Sequence, residues 1–262
     1  VSAYEFIEYE VQNGIATLRL NRPPVNALGQ QLVAELTAAA RQINLEITSR
    51  KIRAVILSGK GKHFCAGADL KERLNTPETE VENVVQRLRG AIQAVADLAV
   101  PTIAAVHGSA LGGGLELALA ADLRVLSEDA TLGLRETALA IIPGAGGTQR
   151  LMRLIGYARA MEWIATASTF SAAECLLQGL ANRVVPAAEV EHTALQLAER
   201  IAANGPLAVR AAKEAMRRGL DMTLSEGLAY EMECYRRIIA THDRREALQA
   251  FSEKRQPVFR GE

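Results

Sequence analysis

The chain has 262 residues, 49% of them hydrophobic, which supports a sizeable core and excludes a disordered segment. Lys plus Arg and Asp plus Glu each number 30, so the formal charge is zero and no global field favours nucleic acid or an anionic membrane. Cys65, Cys175 and Cys234 are odd in number and widely spaced, with no C-x-x-C pair and no histidine at ligand spacing. That pattern excludes a disulfide framework and suits a reducing compartment, with no metal expected.

No apolar stretch reaches the roughly 18 uncharged residues of a membrane span, and "VSAYEFIEYEV" lacks the basic-then-apolar order of a leader. The expected setting is cytoplasmic, or the mitochondrial matrix where a leader has been removed. From Tyr4, "YEFIEYEVQNGIATLRL" alternates around Asn13-Gly14 and predicts a hairpin. The prolines of "NRPPVNAL" then require a loop. Leu28 to about Ile47 places Leu32, Leu36, Ala39, Ala40 and Ile43 on one helix face. "RAVILSG" from Arg53 reads as a strand buried on both sides, and so do Thr102 to Val106, Leu123 to Leu126 and Asn182 to Val185. Strands alternating with helices predict an α/β fold.

Beyond Pro186 the signals are helical: Val190 to about Ala203, Pro206 to Arg218, Thr223 to about Ala240 and Asp243 to Lys254. Ser171 with Glu174 and Thr223 with Glu226 fit capping boxes. The chain therefore divides near residue 200 into a core, 1–200, and a helical tail, 201–262. Arg210, Lys213 and Arg217 are expected to form a solvated helix face.

Three stretches carry chemistry. In "LGGGLELALAADLRV", Gly112 to Gly114 precede a helix, where unpaired N–H groups and the helix dipole favour negative charge. Neither this run nor "PGAGGTQ" fits G-x-G-x-x-G, "SGKGKH" fails the phosphate-loop spacing, and no G-x-S-x-G occurs. Glu116 follows in the first turn, a position where an acid is equally an ordinary dipole stabiliser. A second carboxylate shifts the balance. Glu136 in "LGLRETALAIIPGAGGTQRL" again lies among apolar residues beside a glycine-rich turn. Two acids in apolar settings next to backbone donors suit general acid and base catalysis, because burial raises a carboxyl pKa and amides can hold an oxyanion. In "GKHFCAGADLKE", small residues around Ala68 let the backbone approach a ligand, and Asp69 is a candidate helix cap. Cys65 reads as a small buried hydrophobe, and His63 and His107 as ordinary polar contacts.

Together "NRPPVNAL", "HFCAGADLKE", "ALGGGLELALAADLRV", "LGLRETALAIIPGAGGTQRL" and "AFSEKRQPVFRG" resemble the crotonase superfamily, and within it the enoyl-CoA hydratases. The resemblance runs nearly end to end. It implies a ββα spiral core with a C-terminal helical region that supports homotrimers, usually paired into hexamers. By resemblance, the N–H groups of Ala68 and Gly113 grip the thioester carbonyl of an acyl-CoA. Glu116 deprotonates the attacking water, Glu136 delivers a proton to Cα, and Gly144 contacts that water. Ala66, Asp69, Leu70 and Lys71 would line the CoA path, with Phe251 and Lys254 reaching it from a neighbouring subunit. The implied reaction is hydration of the 2,3 double bond of a 2-enoyl-CoA without a cofactor, since CoA belongs to the substrate.

One departure concerns Pro23-Pro24-Val25, where many relatives carry a longer loop with a basic residue for the CoA phosphates. Isomerases of the superfamily often keep only one of the two carboxylates, so the pair favours hydration. A branched methylglutaconyl thioester is the alternative substrate, with Arg135 or Lys71 as candidate partners for its acid. A relative of that kind also binds RNA through a lysine-rich helix, but "QQLVAELTAAARQINLE" has Arg41 and no lysine, so no nucleic-acid partner is expected.

Overall fold

The computed structural model describes residues 4–262; Val1 to Ala3, the start of the segment read above for a leader, lie outside it. Ile7–Gln12 (β1) and Ile15–Leu20 (β2) form the expected hairpin, with Gln12 opposite Ile15 and both turn residues, Asn13 and Gly14, at positive φ. Gln30–Thr48 (α1) leads to Ala54–Gly59 (β3), then Leu70–Leu74 (α2) and Glu78–Ala96 (α3). Thr102–Val106 (β4), Ser109–Leu111 (β5) and Gly113–Ala120 (α4) follow, then Leu123–Ser127 (β6) and Thr131–Gly133 (β7). A 3-10 turn at Glu136–Leu139 precedes Gly147–Ile155 (α5) and Tyr157–Thr166 (α6). Phe170–Ser171 (β8), Ala172–Leu177 (α7) and Arg183–Val185 (β9) complete the strand-bearing part.

A six-stranded sheet runs β1-β2-β3-β4-β6-β9, parallel from β2 onward. Its central strands β3 and β4 are buried at every position because both faces are covered. Val190–Ala202 (α8) packs Val190, Ala194, Ala198 and Ala202 against Ile15, Ala54, Ile56, Ile103 and Val125 on one face. The other face belongs to the main core, where Leu32, Leu36 and Ile43 of α1 meet Leu88, Ile92 and Val95 of α3. Covering on both sides is why these strands read as unbroken apolar runs.

A second, three-stranded sheet, β5-β7-β8, was not legible in advance, since strands of two or three residues carry no period. It explains how the chain spirals. In β4-β5-α4 and again in β6-β7-α5, the first strand joins the large sheet and the second joins the small one. An earlier turn follows the same path, because Cys65, after β3, bridges in parallel to Ala110 of β5, which in turn pairs with Leu132 of β7. Three successive turns are thus stacked in register, and whatever follows Cys65, Ala110 and Leu132 emerges at one edge.

Pro206–Gly219 (α9), Leu224–Ile239 (α10) and His242–Ser252 (α11) form the helical tail, and both expected capping boxes are present. No helix among the described residues is long and apolar enough to cross a membrane. One expectation fails: Lys213 is not on a solvated face but is 6% exposed. Its Nζ donates to the Val100 carbonyl at 2.8 Å and to Asp122 Oδ2 at 2.6 Å. The carboxylate of Asp122 also accepts from the Thr102 amide and hydroxyl, so α9 is pinned to the start of β4 through one ionic contact. The spacing that suggested an outer stripe could not reveal which face of α9 meets the core. Removing one member of a buried pair strands the other. Lys213→Ala is expected to lower the unfolding free energy by about 2 kcal/mol, below the roughly 3–5 kcal/mol of a fully enclosed pair because Asp122 keeps some solvent contact. A urea midpoint lowered with an unchanged slope would show this, and an unshifted midpoint would refute it.

Candidate active site

The stacked turns deliver four groups to one cavity of about 360 Å³. Ala68 follows the Cys65 bridge, Gly113 follows β5, and Glu136 follows β7, while Glu116 projects from the first turn of α4. All four line the cavity, with Ala66, Leu70, Val85, Leu88, Leu139, Ile141 and Ile142 supplying a largely apolar wall.

The amides of Ala68 and Gly113 donate to nothing among the described residues. They lie side by side, for a Cβ placed on Gly113 would come 3.6 Å from the Ala68 nitrogen. Gly67 makes this approach workable: its φ is +97°, and a side chain there would meet the Leu111 carbonyl at 2.6 Å. Gly113 also opens α4, whose dipole adds to the pull on a negative atom. Two neighbouring unpaired donors, one of them at a helix start, are the kind of arrangement that can hold an oxyanion.

Glu116 is only 2% exposed. Its Oε1 accepts from the amides of Ala145 at 2.7 Å and Gly147 at 2.8 Å, and no described residue donates to its other oxygen. Burial raises its pKa, opposed by these two amides and by the charges of Arg150 and Arg73. Glu136 is half-buried against Gly112, and its Oε2 is enclosed with no hydrogen-bond partner. Its pKa is pushed up to about 7, first by burial and then by the negative charge of Glu116. The same cavity thus holds one carboxyl group anchored by two backbone donors and another whose inner oxygen has none.

The remaining predicted residues divide. Gly144 lines the cavity and its amide has no acceptor among the described residues. Ala66 and Leu70 line it too, whereas Lys71 is exposed outside it. The carboxylate of Asp69 caps α2 through the amides of Lys71 and Glu72 and pairs with Arg22 at 2.7 Å. That interaction ties the "NRPPVNAL" loop to the turn bearing Ala68. Phe251 and Lys254 are exposed in and just after α11 and do not line the cavity of their own chain. Cys65 is buried, donates to the Asn26 carbonyl and has its thiol pushed up to about 12 by burial. His63 and His107 make backbone contacts, with the Ser109 amide and the Gly61 carbonyl. Among the described residues no three His, Cys, Asp or Glu side chains are placed to hold a metal ion.

Sequence reasoning missed the donors at Ala145 and Gly147, although "PGAGGTQ" had marked a glycine-rich turn into a helix. It also missed Arg73, which lines the cavity together with Arg135. No local pattern separates Arg73 from the neighbouring charges of "LKERL", because its direction depends on how α2 meets α3.

The enoyl-CoA hydratase/isomerase family model matches residues 10–262. The chain belongs to that family. The human enoyl-CoA hydratase domain-containing protein 2, mitochondrial, is 46% identical over 254 residues, covering 95% of this chain and 86% of that protein. Mouse methylglutaconyl-CoA hydratase, mitochondrial, is 44% identical over 259 residues, covering 97% and 82%. A crystal structure of enoyl-CoA hydratase from Bacillus anthracis superposes with a TM-score of 0.95 at 48% identity, covering 98% of this chain and all of that one. The hydratase/isomerase fold, a crotonase-type spiral core followed by helices, is therefore the fold of this chain.

A raised carboxyl pKa is also a stability statement. Glu136 titrates at about 7 in the folded chain against an ordinary value of 4.5, so between those pH values the folded state holds the extra proton. Stability from this group is present below about pH 4.5 and is lost as pH rises through about 7. Glu136→Gln, which cannot ionise, is expected to melt above the wild type at pH 8 and to lose that advantage towards pH 5. Melting curves with the opposite trend would contradict the assigned shift.

Proposed function

We propose that the protein is an enoyl-CoA hydratase that adds water across the 2,3 double bond of a 2-enoyl-CoA to give the 3-hydroxyacyl-CoA. The observation carrying this reading is two carboxyl groups with unequal hydrogen-bond and charge surroundings over one cavity whose rim presents two free amides. With the thioester oxygen held by the N–H groups of Ala68 and Gly113, the carbonyl draws electron density from Cβ. Glu116, as carboxylate, takes a proton from water as its oxygen bonds to Cβ. The double-bond electrons move to an enolate oxygen already facing both donors. Glu136, as the acid, then protonates Cα, and the Gly144 amide is placed to meet the water. Removing one oxyanion donor typically costs about 3 to 4 kcal/mol of barrier stabilisation. No cofactor takes part in this scheme. A double-bond shift needs only one group to move a proton, so the retained pair supports hydration over isomerisation.

A second substrate class has its own support. Arg73 and Arg135 in an otherwise apolar wall suit an acyl chain ending in a carboxylate, as in the methylglutaconyl thioester named for the mouse relative. Short or medium straight-chain thioesters are the first reading, because most of the wall is aliphatic. The exposed side chains Leu224, Leu228, Met232, Tyr235 and Ile239 fall on one stripe of α10. They support residues 201–262 as the region that joins copies into trimers or hexamers. The buried, unpaired cysteines fit a reducing compartment.

Loss of the conjugated thioester absorbance tests the reading. Crotonyl-CoA is expected to be hydrated by the wild type and at least about a hundredfold more slowly by Glu116→Gln and by Glu136→Gln. Both variants should still bind the thioester. Near-normal turnover in the two variants would remove the acid–base assignment, and a strong wild-type preference for methylglutaconyl-CoA would select the second substrate class.

A further inference from the structure

A general base works only while it is both ionised and correctly aimed. The aim of Glu116 is set by the loop at 144–147, since the amides of Ala145 and Gly147 hold its Oε1. That loop is an irregular turn and must itself be held. Arg150, in α5, supplies the hold. Its Nη1 donates to the Ala145 carbonyl at 2.9 Å, and its Nη2 donates to Gln93 Oε1 of α3 at 2.7 Å. The guanidinium lies directly against Gly146, where a Cβ would come 2.0 Å from Nη1 and where φ is +108°. Only glycine both adopts that backbone and leaves the space.

We propose that Arg150 is a positioning residue for Glu116, latching the Ala145–Gly147 turn to α3 so that both amides stay directed at the carboxylate. The inference rests on Glu116 being the base, and it goes beyond that reading by assigning the part that keeps the base in place. Arg150 does not touch the cavity and makes no ion pair among the described residues. The charged groups around it are Glu116 from α4, Arg89 from α3, Asp97 just after α3 and Arg217 from α9. Glu116 in turn is faced by Arg73 from α2 and by Glu136 from the 3-10 turn. The positive charge of Arg150, held against the Ala145 carbonyl, favours the ionised form of Glu116 and opposes the effect of burial.

The sign of the pH effect follows. Without the Arg150 charge, Glu116 holds its proton to higher pH, so the acidic limb of the kcat profile moves upward. Arg150→Gln is expected to lower kcat about tenfold or more on crotonyl-CoA, with KM within about twofold and the acidic limb raised by about half a pH unit. Arg150→Lys keeps a charge and one donor but loses the second prong. It should therefore hold the wild-type acidic limb and lose kcat only partway. Arg150→Gln with wild-type kcat and acidic limb, or with a loss confined to KM, overturns the latch while an inactive Glu116→Gln leaves the hydratase reading standing. Wild-type turnover in Glu116→Gln removes that reading itself. Should Arg150→Gln fail to fold, Arg150→Lys decides alone, and wild-type kcat in it overturns the proposal.

Discussion

A carboxylate withdrawn almost wholly from water must be given donors, and Glu116 takes them from the backbone. The hydrogen bonds from Ala145 and Gly147 to its Oε1 satisfy one oxygen and leave the other to the cavity. Much of the surrounding construction serves this contact. The turn must be glycine-rich so that two amides can point the same way, and Arg150 must brace it from behind. The α4 helix must begin just before Glu116, which at the same time frees the Gly113 amide. One helix start therefore supplies both a free amide and the buried carboxyl group, the proposed oxyanion donor and base, at a separation fixed by a single helical turn.

The difference between the two carboxyl groups follows from what each touches. Glu116 has donors and two nearby guanidinium groups; Glu136 has an enclosed oxygen without a donor and a neighbouring negative charge. Placed in water, the two would titrate alike. The stacked turns of the spiral separate them, and they do so where the cavity also presents free amides. The proposed addition of water would need a proton removed on one side of a double bond and delivered on the other, a task that unequal carboxyl groups suit.

Local signals were readable where chemistry is local. Asn13-Gly14 marked its turn, Ser171 with Glu174 and Thr223 with Glu226 marked their helix starts, and the apolar runs at β3 and β4 marked doubly covered strands. Glu116 and Glu136 stood out because acids are rarely set among alanines and leucines beside glycine turns. What escaped depends on contacts between distant segments. The bridge from Cys65 to Ala110 has no local pattern, yet it is what aligns Ala68 with Gly113. Lys213 looked like any helix-face lysine, because its partner Asp122 lies 91 positions earlier. Arg73 and Arg150 were likewise anonymous charges until the packing of α2, α3 and α5 gave them neighbours.

The central claim is that two carboxyl groups in one cavity titrate differently, Glu136 keeping its proton up to about pH 7 while the backbone donors and guanidinium charges at Glu116 oppose the rise that burial causes. Infrared difference spectra recorded across a pH series, with the Gln variants used to assign each band, measure this without turnover. The account predicts a protonated-carboxyl band that fades with a midpoint near the value of about 7 for Glu136, is absent from Glu136→Gln and persists in Glu116→Gln. A band that survives in Glu136→Gln and vanishes in Glu116→Gln would reverse the roles, and no titrating carboxyl in that range would contradict the account.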